Sequence, residues 1–177
     1  MHEIELRGRL DELEFVQLKA KLDYLSVGMI NDKNSQFFDF KNGILKVSEH
    51  IQQQKIVLSL KIGDETDSNL EEYEVDFFHG QFLQIIELIV KLGYSKRELV
   101  NQKRIDYKID DVNIAIKHTP DWGYHFEIEK VIDSHSHAYN VGKTRKYLID
   151  FCKSLGITPM TKSELTNFLN SINKTNI

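Results

Sequence analysis

Three strand-like stretches of this chain carry glutamates two residues apart: Glu3-Ile-Glu5, Glu72-Tyr-Glu74 and Glu127-Ile-Glu129. Each lies in a run where charged and uncharged residues alternate. A period of two is the pattern of a β-strand, whose successive side chains point to opposite faces. On the opening strand it sends Glu3, Glu5, Arg7 and Arg9 one way and Ile4, Leu6 and Leu10 the other. The same pattern separates Glu72, Glu74 and Asp76 from Tyr73, Val75 and Phe77, and His125, Glu127 and Glu129 from Phe126 and Ile128. Cationic rows occur as well: Lys46 with Ser48, Lys55 with Ser59 and Lys61, Arg104 with Asp106 and Lys108, and Ala115 with Lys117. A chain of this kind must build a sheet with one apolar and one charged face.

Other segments punctuate these runs. Asp11 followed by Glu14 is a capping box, and Leu18, Leu22 and Leu25 keep helical spacing, so a helix is expected from about 11 to 26. Gln36–Phe40 reads as a strand, Lys41-Asn42-Gly43 as a tight turn with glycine in the positive-φ slot, and 44–49 and 55–62 as further strands. Gly63–Leu70 reads as a loop, 71–77 as a strand, and 79–92 as a second helix closed by Gly93. Strands are expected over 99–109 and 112–117, joined through Asp110-Asp111, and over 124–131. Helices over 139–155 and 161–172 follow, the last with Thr161 and Glu164 as a second capping box.

Short strands and tight turns predict antiparallel pairing and an α+β fold. So many strands in 177 residues would leave long exposed edges unless the sheet closed, so a closed eight-stranded antiparallel barrel flanked by helices is expected. The chain reads as a single domain over 1–177, with no linker, low-complexity tract or long-period repeat. A formal net charge of −4 argues against a nucleic-acid partner. No apolar run approaches a membrane span, and the charged start is unlike a signal peptide, so a cytoplasmic protein with no membrane partner is expected. The lone Cys152 is expected to be a reduced thiol.

Which way the charged faces look decides the chemistry. Facing water, each is an ordinary half-solvated sheet. Facing inward, six carboxylates and a set of cations would share an enclosed wet lumen, where bare charge is costly. Carboxylates holding Mg²⁺ or Mn²⁺, and cations holding phosphate oxygens, would relieve that cost. Such a lumen fits a polyphosphate carried with its metal.

At these positions the chain resembles the CYTH domain, the triphosphate tunnel metalloenzymes, which include class IV adenylate cyclases, thiamine triphosphatases and inorganic triphosphatases. Glu3-Ile-Glu5-Leu-Arg7 resembles the family's opening E-x-E-x-K strand. Phe37-Phe38-Asp39, Lys46-Val-Ser48-Glu49, Leu58-Ser-Leu-Lys61, Glu71-Glu72-Tyr73-Glu74, Lys103-Arg104-Ile-Asp-Tyr107 and Gly123-Tyr-His-Phe-Glu127-Ile-Glu129 resemble later family strands, in order. The resemblance implies a tunnel that binds a small-molecule triphosphate. Glu3, Glu5, Glu127 and Glu129, assisted by Glu72 and Glu74, would ligate Mg²⁺ or Mn²⁺. Arg7, Lys46, Lys61 and Arg104 would grip phosphates, and Glu3, Glu5 and Arg7 would be catalytic. Triphosphate hydrolysis is the first expectation. The alternatives are cyclisation of ATP to cyclic AMP and pyrophosphate, and a worn tunnel that binds anions without turnover. A homodimer is within expectation.

The chain departs from the family pattern at Arg7 in place of Lys, Ser48 in place of Arg, Gln102 in place of Lys, and Lys117 in place of a metal-binding Asp. Lys117 either replaces lost phosphate donors or fills a metal position. His125 shares the face of Glu127 and is a candidate acid or base. Trp122 is read as a packing residue, with stacking on a base as the alternative. His135-Ser-His137 reads as a surface loop.

Overall fold

Each alternating run forms a strand. The computed structural model describes residues 2–63, 69–132 and 137–175. In chain order these contain β1 (His2–Arg9), α1 (Glu12–Leu25), β2 (Met29–Ile30), β3 (Lys33–Phe38), β4 (Gly43–His50), β5 (Lys55–Ile62) and β6 (Asn69–Phe78). There follow α2 (Phe82–Lys91), β7 (Lys96–Ile109), β8 (Val112–Thr119), β9 (Gly123–Ile132), α3 (His137–Leu155) and α4 (Lys162–Thr175). Most of the loop expected over Gly63–Leu70 lies outside the described residues, as do His135 and the side chain of His137. No helix among the described residues is long and apolar enough to cross a membrane.

All pairings are antiparallel, in the order β2-β7-β3-β4-β5-β6-β1-β9-β8, with a further β7–β8 pairing. Eight long strands thus make one curled sheet, and the two-residue β2 is an appendage on β7. Two joints are partial among the described residues. There β1 and β6 share three residue pairs, His2–Glu71 to Ile4–Asn69. β7 pairs with β3 through Gln102 and with β8 only from Lys103 onward. The fold is therefore an α+β half-barrel with four helices, and this corrects the expected closed barrel. The reason lies in registry: the described β1–β6 pairs run only from Asn69 to Glu71, and β7 serves two neighbours in succession.

The apolar faces point outward, beneath the helices. Ile4 and Leu6 of β1, Ile114 and Ile116 of β8, and Phe126 and Ile128 of β9 pack against Leu18 and Leu22 of α1 and Leu148 and Cys152 of α3. A second cluster sets Ile85, Ile86 and Ile89 of α2 on Phe38, Val47 and Ile56. Both capping boxes form: Asp11 and Glu14 exchange bonds of 2.7 and 2.8 Å, and Thr161 and Glu164 do the same at the start of α4.

Several boundaries differ from expectation. β3 begins three residues earlier, at Lys33, because its outward Asn34 and Gln36 spend their amides on Glu49 and on carbonyls of β7 rather than on apolar packing. Residues 79–81 form a turn and lead-in, so α2 starts at Phe82. What Gly43 provides is clearance, since a Cβ there would lie 1.9 Å from the Lys61 carbonyl oxygen.

Gly8 has a similar role on β1. A Cβ at this position would sit 2.5 Å from the Phe126 ring and 2.8 Å from the Thr158 carbonyl oxygen. Gly8→Ala is expected to destabilise the protein by ~1–3 kcal/mol through overpacking, measured by urea unfolding. It is also expected to loosen the α3–α4 connection, read as faster proteolysis there.

Candidate functional site: a cavity between an acidic and a basic wall

The inward row of each strand lines one cavity of about 640 Å³. Its acidic wall comes from β1, β6 and β9. Glu3, Glu5 and Glu129 can each bring a carboxylate oxygen within 4.8 Å of the others. Register explains this: Glu5 lies directly opposite Glu129, and Glu3 is one pleat away on the same face. Lys61 of β5 crosses to this wall, with its Nζ 2.5 Å from Glu3, 3.3 Å from Glu5 and 3.3 Å from Glu72. Glu74 lines the cavity further along β6 and is exposed.

The acidic wall holds more negative charge than Lys61 can neutralise. Burial pushes Glu3 up to about 7 against the pull of Lys61, with Glu72 and Glu5 adding to the rise. Burial likewise raises Glu129 to about 7, helped by Glu3, Glu5 and Glu127. Burial opposes the charge on Lys61 too, but Glu5, Glu3 and Glu72 outweigh it and hold the ammonium charged. Glu5 also resists its own burial, because Arg7 and Lys61 keep it below the usual carboxylate range. A bound cation would draw both of these raised carboxyls back toward the ionised form. Three hard oxygen donors in this arrangement fit a divalent cation.

Glu127 sits differently. Its carboxylate bonds to Lys117, with Arg7 at 3.6 Å and Arg104 at 3.8 Å. Burial would raise it, yet these three cations hold it well below the carboxylate range. It is placed to organise cations.

The opposite wall, from β3, β4, β7 and β8, is cationic. Lys33, Lys46, Arg104 and Lys117 line it, with Arg104 paired to Lys117 in register. Burial, then Arg104, bring Lys117 down to about 8. Burial, then Arg104 and Lys46, bring Lys33 down to about 6. Burial and Lys61 lower Lys46 as well. A wall of cations that depress one another is one that an anion would relieve.

Arg104 is fixed by a chain of hydrogen bonds that sequence reading missed. Its Nε donates to Asp106 at 2.5 Å, Asp106 accepts from the Asn31 amide at 2.5 Å, and Asn31 Oδ1 lies 3.0 Å from His50 Nδ1. The amide nitrogen of Asn31 is committed to Asp106, so its oxygen accepts and His50 Nδ1 donates. His50 can do this while neutral, since burial and Lys33 lower its pKa to about 3. β2 exists to place Asn31, whose backbone N–H donates to the Arg104 carbonyl. Of the missed residues, Asn31 and Lys33 sit in the polar run 31–36 where alternation carries no contrast, while His50 continues the Lys46–Ser48 row of β4 and could have been read from it.

Of the other singled-out residues, His125 lines the cavity and is neutral, lowered to about 4 by burial and Lys117. Trp122 lies beside it, with ring centroids 5.1 Å apart.

No protein-family model and no curated protein matches the chain. Solved structures do. The PH1012 protein of Pyrococcus horikoshii is 23% identical, with a TM-score of 0.73 over 88% of this chain and 91% of that one. A proposed adenylate cyclase from Vibrio parahaemolyticus is 14% identical, with a TM-score of 0.70 over 96% and 98% of the two chains. A proposed adenylyl cyclase from Hippeastrum, with dominant triphosphatase activity, is 16% identical, with a TM-score of 0.60 over 88% of each chain. At these identities the likeness establishes a shared fold. The resemblance to triphosphate tunnel metalloenzymes rests on that fold.

The raised carboxyl of Glu129 gives a pH dependence. Its folded value of about 7 exceeds the ordinary 4.5, so its contribution to stability is full below the unfolded value and lost as pH rises through about 7. Glu129→Gln removes the effect. In chelator, thermal unfolding should show the variant gaining on the wild type between pH 4.5 and 8, and parallel curves would contradict the assignment.

Proposed function

We propose that this cavity binds a triphosphate with a divalent cation and hydrolyses it. One observation carries the reading: an acidic wall with three convergent carboxylates faces a wall of Lys33, Lys46, Arg104 and Lys117 across a single cavity. An anion of high charge density carried with a cation satisfies both walls at once. The fold shared with the Hippeastrum triphosphatase supports the same reading.

In this reading Glu3, Glu5 and Glu129 hold Mg²⁺ or Mn²⁺, with Glu72 and Glu74 nearby. When bound, the cation neutralises phosphate charge and polarises an oxygen ligand. The chain's own residues do the rest. Lys46, Arg104 and Lys117 bind the non-bridging oxygens and hold the triphosphate along the basic wall. Arg7, whose Nε donates to Glu5 at 2.6 Å, adds its positive charge beside the transferring phosphoryl group. As a guanidinium it stabilises charge without giving up a proton. Catalysis is then positioning and charge compensation, as phosphoryl transfer requires.

A second reading has its own observation. The Lys61 ammonium already lies among Glu3, Glu5 and Glu72, so the acidic wall has a resident cation, and the basic wall alone would make a triphosphate-binding protein without turnover.

The test is incubation with tripolyphosphate and with ATP, with Mg²⁺ or Mn²⁺, followed by phosphate assay and mass spectrometry. Metal-dependent phosphate release that is absent from Glu3→Ala supports hydrolysis. Cyclic AMP with pyrophosphate would instead mark cyclisation, and tight binding with no product would select the second reading. For a hydrolase, Arg104→Ala should lower kcat/KM by on the order of 10²-fold, the usual effect of removing one preorganised charge.

A further inference from the structure

Lys33 lines the basic wall without a carboxylate of its own. It opens β3, and register places it between His50 of β4 and Gln102 of β7. Arg104 stands one pleat further along β7, on the same inward face. Among the described residues no group hydrogen-bonds or ion-pairs with the Lys33 side chain. The carboxylate that acts on it from a distance, Asp106, is committed to Arg104 and Asn31. His50 is neutral and donates to Asn31. The other lysines of the wall differ: Lys117 bonds to Glu127, and Lys46 feels the charge of Glu127 and Glu72. Burial, then Arg104, Lys46 and Lys117, bring Lys33 down to about 6, which favours the uncharged amine. Lys33 is thus a half-buried primary amine, open to the cavity, whose surroundings oppose a further cation and favour an anion.

We propose that Lys33 is a carbamylation site: its Nζ adds to CO₂, and the carbamate so formed is held by the positive charge of Arg104. An uncharged lysine amine is a nucleophile. Acylation would leave it a neutral amide, and imine formation a neutral or cationic nitrogen. Addition to CO₂ leaves an anion, which is what this wall lacks. In the step the Nζ lone pair forms the N–C bond, one C=O electron pair moves onto oxygen, and an N–H proton passes to water. Amine and CO₂ give carbamate and a proton, with no oxidant, reductant or other reactant. The product carries a carboxylate-like group, the natural partner of a guanidinium. CO₂ is also small and uncharged, so the charged walls do not hinder its entry. The carbamate and a bound polyanion answer the same positive charge, so each weakens the other. That competition alone rests on the triphosphate reading above.

The test equilibrates the full chain with ¹³C-labelled bicarbonate and CO₂, traps carbamates by alkylation with triethyloxonium, and maps labelled ethoxycarbonyl groups by peptide mass spectrometry. Lys33 should carry several-fold more label than the exposed Lys41 and Lys91, and its label should rise with CO₂. Arg104→Gln, which removes the stabilising cation, should lower it. In ¹³C NMR the wild type should show a carbamate resonance that Lys33→Arg lacks, since a guanidinium keeps the charge but not the nucleophile. Label at Lys33 no greater than at Lys41 and Lys91 overturns the proposal on the wild type alone, whether or not a variant folds. A carbamate resonance that persists in folded Lys33→Arg overturns it too. Tripolyphosphate is then added, with its binding followed by calorimetry. Bound tripolyphosphate should reduce the Lys33 label, and an unchanged label contradicts the competition. If tripolyphosphate does not bind, the triphosphate reading falls, and the Lys33 label still decides the carbamate.

Discussion

The structure is organised around charge held largely away from bulk water. Carboxylates from three strands and cations from four others face one enclosed space, and neither set is neutralised within its own wall. Lys61 answers part of the acidic excess, and Glu127 answers part of the basic excess. What remains shows in the titration of the walls: burial and like charge push Glu3 and Glu129 up to about 7 and Lys33 down to about 6. A dipolar ligand, a cation and a polyanion together, removes both penalties.

That arrangement explains why the core lies outside the sheet. A half-barrel whose concave face is ionic has no apolar lumen to pack, so its hydrophobic stabilisation must come from the convex face. α1, α3 and α2 supply it in two clusters, both on the face away from the cavity. The helices are therefore structural. α4 differs in that it also reaches the cavity end, where aliphatic side chains replace charge.

Much of this was legible in the sequence because period-two alternation reports directly which side chains share a face. Glu3 with Glu5, Glu127 with Glu129, and Arg104 with Asp106 could be grouped from spacing alone. The long strands, both capping boxes and the Asp110-Asp111 hairpin follow from local rules. Three things did not. Joints between strands distant in sequence depend on registry, so the incomplete β1–β6 and β3–β7–β8 seams left no local mark. The Asn31–His50–Asp106 chain joins segments distant in sequence, and the start of β3 lies in the polar run 31–36, which had no contrast to reveal its face. The division of labour among the glutamates was hidden as well: Glu127 and Glu129 look equivalent in sequence, yet Lys117 and the two arginines draw one of them into the basic wall.

A structure of the protein with Mn²⁺ and tripolyphosphate tests the division into two walls most directly. Anomalous density for Mn²⁺ among Glu3, Glu5 and Glu129, with phosphate oxygens within hydrogen-bond reach of Lys46, Arg104 and Lys117, is the expected result. Mn²⁺ at Glu127, or a triphosphate bound outside the cavity with Lys61 still holding Glu3, would contradict it.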